Sequence, residues 1–126
     1  MGFLNLYVEK FNQEHEVISQ KVIMENVFVS YRIKEDGYEY EVVMSCLEKE
    51  LASTIFVTWF NGLYGLFEKF HRLNNPAKYE IVLNDNKEYI THNEKFFLNG
   101  VEYEKNDFFK NNENRRLIIS KRKKYF

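Results

Sequence analysis

Histidine, cysteine and a patterned set of charged residues are the side chains in this chain that could do chemistry. His15, His71 and His92 stand apart, with no HxH or HExxH spacing. Two of them brought together by folding would form an acid/base pair, the equipment of a small metal-independent nuclease. Single histidines at a surface or a strand edge are the more ordinary reading. Cys46 is the one cysteine. It could act as a nucleophile if a helix began beside it, since helix N-termini lower thiol pKa values, but a lone cysteine is more often a small core residue. One cysteine permits neither an internal disulfide nor a CxxC or Cys/His metal spacing. The expectation is therefore no metal, no cofactor and a reducing, cytoplasmic setting. Gly62-Leu63-Tyr64-Gly65 matches neither the GxGxxG nor the Walker A pattern, so no phosphate loop is expected.

Charge is unevenly distributed. Residues 114–126 carry six of the 18 basic side chains and none of the 19 acidic ones, so a body of net −7 ends in a segment of net +6. In that segment Arg115, Arg116, Lys121, Arg122, Lys123 and Lys124 flank a short apolar run and precede Tyr125 and Phe126. Cations that meet phosphates and a ring that stacks on a base would suit single-stranded nucleic acid. Lys and Arg on an edge strand also discourage unwanted strand pairing. A second patterned set is Tyr38-Glu39-Tyr40-Glu41, where rings and carboxylates alternate. Such residues could form an acidic aromatic surface for a protein partner, because aromatic side chains are enriched at interfaces.

The elements that must hold these residues follow from hydrophobic periodicity. Leu4, Tyr7, Val8 and Phe11 fit a helical stripe, although the same segment could open the fold as a strand; residues 16–24 either extend that helix or form a strand. From residue 27 to 43 the alternation is clear. Val27, Val29, Tyr31 and Ile33 share one face, Asp36-Gly37 turns the chain, and Tyr38, Tyr40 and Val42 return. Ser45 with Glu48 three residues later makes a capping-box pattern. Leu47, Leu51, Ile55, Leu63, Leu66, Phe67, Phe70 and Leu73 then predict one long helix over about 46–73, ended by Asn74-Asn75-Pro76. Two features oppose an unbroken helix: the β-formers of 53–58, and Gly62 and Gly65. A kink, or a strand in its first part, remains an alternative. The C-terminal third reads as a meander over 78–121, with the turn Asn84-Asp85-Asn86, the hairpin signal Asn99-Gly100 and a last strand over 116–121.

The expected fold is α+β: an antiparallel sheet, from the hairpin 27–43 and the meander 78–121, packed on a long helix. One domain over 1–126 is the simplest organisation, with 114–126 as a basic strand or tail. No stretch is long and apolar enough to cross a membrane as a helix. Phe, Tyr, Asn, Lys and Ile supply 56 of 126 residues. Their codons are AT-rich, which points to an AT-rich bacterium, its phage or a mobile element.

On these grounds the leading expectation is a non-enzymatic protein-binding inhibitor or modulator, of the host-defence-inhibitor or immunity type. Its partner would be a host nuclease or toxin, or a second copy of itself. The alternatives are a nucleic-acid accessory protein using the basic segment, and a small histidine nuclease. The nucleic-acid reading predicts binding to a single-stranded oligonucleotide that weakens steeply between about 50 and 200 mM salt, measurable by fluorescence anisotropy; no binding at low salt removes it.

Overall fold

The computed structural model describes residues 2–48, 52–61 and 69–110. One helix, α1 (Phe3–Glu14), leads into a seven-stranded antiparallel sheet whose spatial order is its sequence order. The strands are β1 (Glu16–Met24), β2 (Phe28–Glu35), β3 (Tyr38–Glu48), β4 (Ser53–Phe60), β5 (Lys78–Leu83), β6 (Tyr89–Leu98) and β7 (Val101–Tyr103). A short helical turn follows over residues 105–110.

The turns behave as their residues require. Asp36 and Gly37 both hold positive φ (52° and 82°), as do Asn99 and Gly100 (50° and 83°). That is the pair of left-handed residues a two-residue hairpin demands. Between β5 and β6 the Asn84 side-chain oxygen accepts the N–H groups of Asn86 and Glu88 at 3.0 and 2.9 Å, and Lys87 takes φ 61°.

The long helix over 46–73 does not form. Residues up to Glu48 continue β3, and Ser53–Phe60 is β4, paired with β3 from Glu41↔Phe60 to Glu48↔Ser53. Leu47, Leu51 and Ile55 happen to keep helical spacing, but Ile55, Val57 and Trp59 keep period two, and it is these three that are buried. β-branched residues suit that pleated, half-buried surface. Residues 69–73, the end of the expected helix, are not helical either; residues 49–51 and 62–68 lie outside the described residues, as does the expected strand over 116–121.

Ser45 and Glu48 therefore cap no helix of their own, yet Glu48 does cap one. The first turn of α1 begins at Gly2, which offers no side-chain cap. Its free N–H groups are met instead from across the fold. Phe3 N–H donates to Glu48 Oε1 at 3.0 Å, and Asn5 N–H donates to Asn26 Oδ1 at 3.2 Å. The Asn26 amide also donates to Glu48 Oε1 at 3.0 Å. A Cβ on Gly2 would overlap that Asn26 amide, so a side chain there would push the amide out of its capping position.

Leu4, Tyr7, Val8 and Phe11 form the buried stripe of α1. They close one face of the sheet, here called the inner face, over Val29, Tyr31, Ile33, Tyr40, Val42, Met44, Ile55, Val57 and Trp59. Each large side chain taken from water contributes roughly 1.5–3 kcal/mol. A smaller cluster of Phe96, Leu98 and Phe108 fastens the short helical turn to β6.

The Phe3 N–H, followed by the Asn26 amide, holds the Glu48 carboxyl below its ordinary range. The charged form is favoured by folding, so this contribution is present above the ordinary carboxylate pKa and is lost as pH falls through the lowered value. Glu48→Gln should lower the melting temperature at pH 7. In thermal melts across pH 2–7, the gap to the parent protein should close toward the acid end.

Candidate functional site

Residues 69–77 cross between β4 and β6 and carry the most heavily buried charge among the described residues. His71 N–H donates to Trp59 O (3.1 Å), Trp59 N–H to Ala77 O (2.7 Å), and Arg72 N–H to Phe97 O (3.3 Å). These bonds drive Arg72 inward to 6% exposure. Its guanidinium donates twice to Glu35, Nε to Oε2 at 2.9 Å and NH2 to Oε1 at 2.7 Å, and NH1 reaches Pro76 O at 3.3 Å. The planar group lies 3.7 Å from the Trp59 ring centroid. Burial works against the Arg72 charge, and the Glu35 hydrogen bond offsets it, so the guanidinium pKa stands above its ordinary value. Trp59 Nε1–H donates to Tyr79 Oη at 3.1 Å, and Leu73 N–H to Tyr40 Oη at 3.3 Å. Burial pushes the Tyr31 and Tyr40 hydroxyls up to about 12 and raises those of Tyr7 and Tyr79. The buried Tyr31 hydroxyl has no hydrogen-bond partner among the described residues.

This network is largely buried and ties the 69–77 segment to the sheet; Tyr40, His71 and Leu73 at its margin also line an opening. Two openings among the described residues lie beside it. The smaller, about 310 Å³, is lined by Tyr38, Glu39, Tyr40, Asn61, His71, Leu73 and Asn99. Asn99 N–H donates to His71 Nδ1 at 2.9 Å, which leaves the ring proton on Nε2 when the ring is neutral, and Asn61 Nδ2 donates to Asn99 Oδ1 at 2.7 Å. The larger, about 610 Å³, is a groove on the outer face, lined chiefly by Phe56, Thr58, Lys78, Glu80, Asn93 and Lys95.

The outer face owes its rows to register. Ser45, Phe56, Glu80 and His92 stand side by side across β3 to β6; so do Val43, Thr58, Lys78 and Lys95. Arg32, Glu41 and Phe60 make a third row. From Phe60 the rings lead inward: Phe60 lies 5.3 Å from Phe70, Phe70 lies 5.2 Å from the buried core residue Phe97, and the Lys78 ammonium lies 4.6 Å from the Phe70 centroid. An irregularity in the β5–β6 register, with Asn93 at φ 52°, turns β6 so that Asn93 donates to Glu80 and the strand's second half walls the groove. Rings, hydroxyls and charges of both signs thus lie on a surface that α1 does not cover.

The sequence-nominated residues divide. Tyr38 is 54% exposed, whereas Tyr40 is 2% exposed and belongs to the core. Glu39 pairs with Arg32 at 3.6 Å on the outer face, and Glu41 faces Arg32 there by register. Period two turns Tyr40 away from the two glutamates, while Tyr38, Glu39 and Tyr40 all line the smaller opening. Arg115, Arg116, Lys121, Arg122, Lys123, Lys124 and Tyr125 lie outside the described residues. His15 stacks on Phe11 at 4.0 Å, His71 stacks on Tyr40 at 6.1 Å, and His92 stands opposite Glu80 on the outer face. No group of three or more His, Cys, Asp or Glu side chains gathers as a metal site among the described residues. The outer rows are not legible where Phe56, Thr58 and Phe60 are read as helix; the signal for the strand alternative is their strict alternation with Ile55, Val57 and Trp59. No helix among the described residues is long and apolar enough to cross a membrane. No protein-family model, curated protein or solved structure matches the chain.

Removing one member of a buried ion pair leaves the other uncompensated, which costs about 3 kcal/mol or more. Arg72→Met should lower the unfolding free energy by about that amount in urea titrations, and Glu35→Gln by less because Glu35 is partly exposed.

Proposed function

We propose that this protein is a non-enzymatic binding module that inhibits or modulates a macromolecular partner by covering part of its surface. The observation that carries the reading is the uncovered outer face, where half-exposed rings stand among charges of both signs. Phe56 is 40% exposed at the centre of that face, beside the groove. Interfaces draw most of their energy from a few such aromatic anchors, while charges around them set register and association rate.

The composition of the groove favours a protein partner over nucleic acid. Glu80, Glu94 and Glu102 line it together with Lys78 and Lys95. Three carboxylates would repel a phosphate chain, whereas a peptide surface carrying both signs of charge could match the alternation. Recognition would therefore rest on the outer rows, with Glu39 and Glu41 at one side, in place of a uniformly acidic tyrosine surface. The immunity-type or host-defence-inhibitor role, and the phage or mobile-element source, remain proposals drawn from composition alone.

The test is comparative capture. The tagged chain and its Phe56→Lys variant are each incubated with lysate of the source cell, and bound proteins are quantified by mass spectrometry. A specific partner should be enriched by the parent chain and weakened at least about thirtyfold by the variant, the loss expected for a central anchor. Equal capture by both, or no enrichment by either, would count against the outer face as the binding site.

A further inference from the structure

We infer that β1 is an interface for a second copy of this chain, joined edge to edge into a continuous antiparallel sheet. β1 is the first strand of the sheet, and its outer edge has no neighbour among the described residues. Ile18, Val22, Ile23, Met24 and Val27 are between 42% and 60% exposed, and this one strand and its turn hold five of the twelve large apolar side chains exposed among the described residues. A long apolar edge strand offers free N–H and C=O groups to any strand that fits. Lys21 is the one basic residue on it.

The strand's own sequence supplies the fit. A twofold axis normal to the sheet keeps every side chain on its own face, so such a pair must be centred on a residue. Centred on Gln20, Ile18 of each copy faces Val22 of the other, and Ser19 faces Lys21. Apolar side chains meet apolar ones, and no like charges are opposed. Moving the centre to Ser19 sets Val17 against Lys21, and moving it to Lys21 sets two ammonium groups face to face, which is destabilising. Irregularities in the β1–β2 pairing fall between Val17 and Ser19 and between Val22 and Met24. The straight run between them is 19–22, which includes the proposed centre. Asn12 of α1 donates to the Gln20 side-chain oxygen at 3.4 Å, holding that side chain toward the inner face and away from the edge. This interface is separate from the outer face and stands or falls without it.

The full chain should be a dimer by sedimentation equilibrium at concentrations up to about 200 µM. Val22→Lys should shift it to monomer, because each new ammonium would face Ile18 of the second copy. Should that variant fold poorly, cysteine pairing reads the register directly in a Cys46→Ser background. Gln20→Cys would place the two thiols on facing residues about 4.5–5.5 Å apart at Cα, within disulfide reach, whereas Ser19→Cys thiols would sit beyond about 7 Å. Rapid cross-linking of the first and not the second supports the interface. A monomer at every concentration, or equal cross-linking of the two, would overturn it.

Discussion

The helix α1 has one apolar stripe, and the sheet it packs against has two faces, so α1 can close only one of them. Leu4, Tyr7, Val8 and Phe11 close the inner face. All that follows depends on this allocation: the inner rows can be Val, Ile, Met and Trp, while the outer rows must live at the surface. They do so by mixing Ser, Thr and paired charges among Phe28, Phe56 and Phe60. Period two then assigns each consecutive residue a different fate, which is why Tyr40 is a core residue and its neighbours Glu39 and Glu41 are not.

Seating the helix takes more than its apolar stripe. α1 starts with no capping side chain, so its first turn would leave donors unmet if it stood alone. Glu48 and Asn26, drawn from β3 and from the turn before β2, supply acceptors. The cap thus exists only once the sheet has formed, and it fixes the helix at the β3 end of the inner face. At the other side of the core the Glu35–Arg72 pair ties the β2–β3 turn to the segment before β5. A buried ion pair is no clear gain in stability over apolar packing, but its two directed hydrogen bonds specify where that segment must lie.

Where one periodicity dominated, the sequence was readable. The hairpin at Asp36-Gly37 and the one at Asn99-Gly100 are both present, because left-handed turn residues and flanking alternation agree. The helical stripe of α1 was visible as one of two readings. Over residues 46–60 two periodicities overlap. Leu47 and Ile55 satisfy a helix, Ile55, Val57 and Trp59 satisfy a strand, and Ser45 with Glu48 imitates a helix start. What decided the matter is non-local: β3 had to find a neighbour, and Trp59 had to meet Phe11, Tyr40 and Arg72. The candidate surface is hidden for the same reason, since its rows all pass through β4, the one segment among them whose helical and strand periodicities compete. Glu48 was recognised as a capping residue, but its helix lies 45 residues away in the chain.

Hydroxyl-radical footprinting of the isolated protein, read residue by residue, tests the one-face allocation most directly. The account predicts fast modification of Phe56 and Tyr38, with Phe11, Tyr31 and Trp59 protected until the protein is unfolded. Comparable modification of Trp59 and Phe56, or protection of Phe56 with reaction at Phe11, would contradict it, because α1 would then not be closing the face on which the core has been placed.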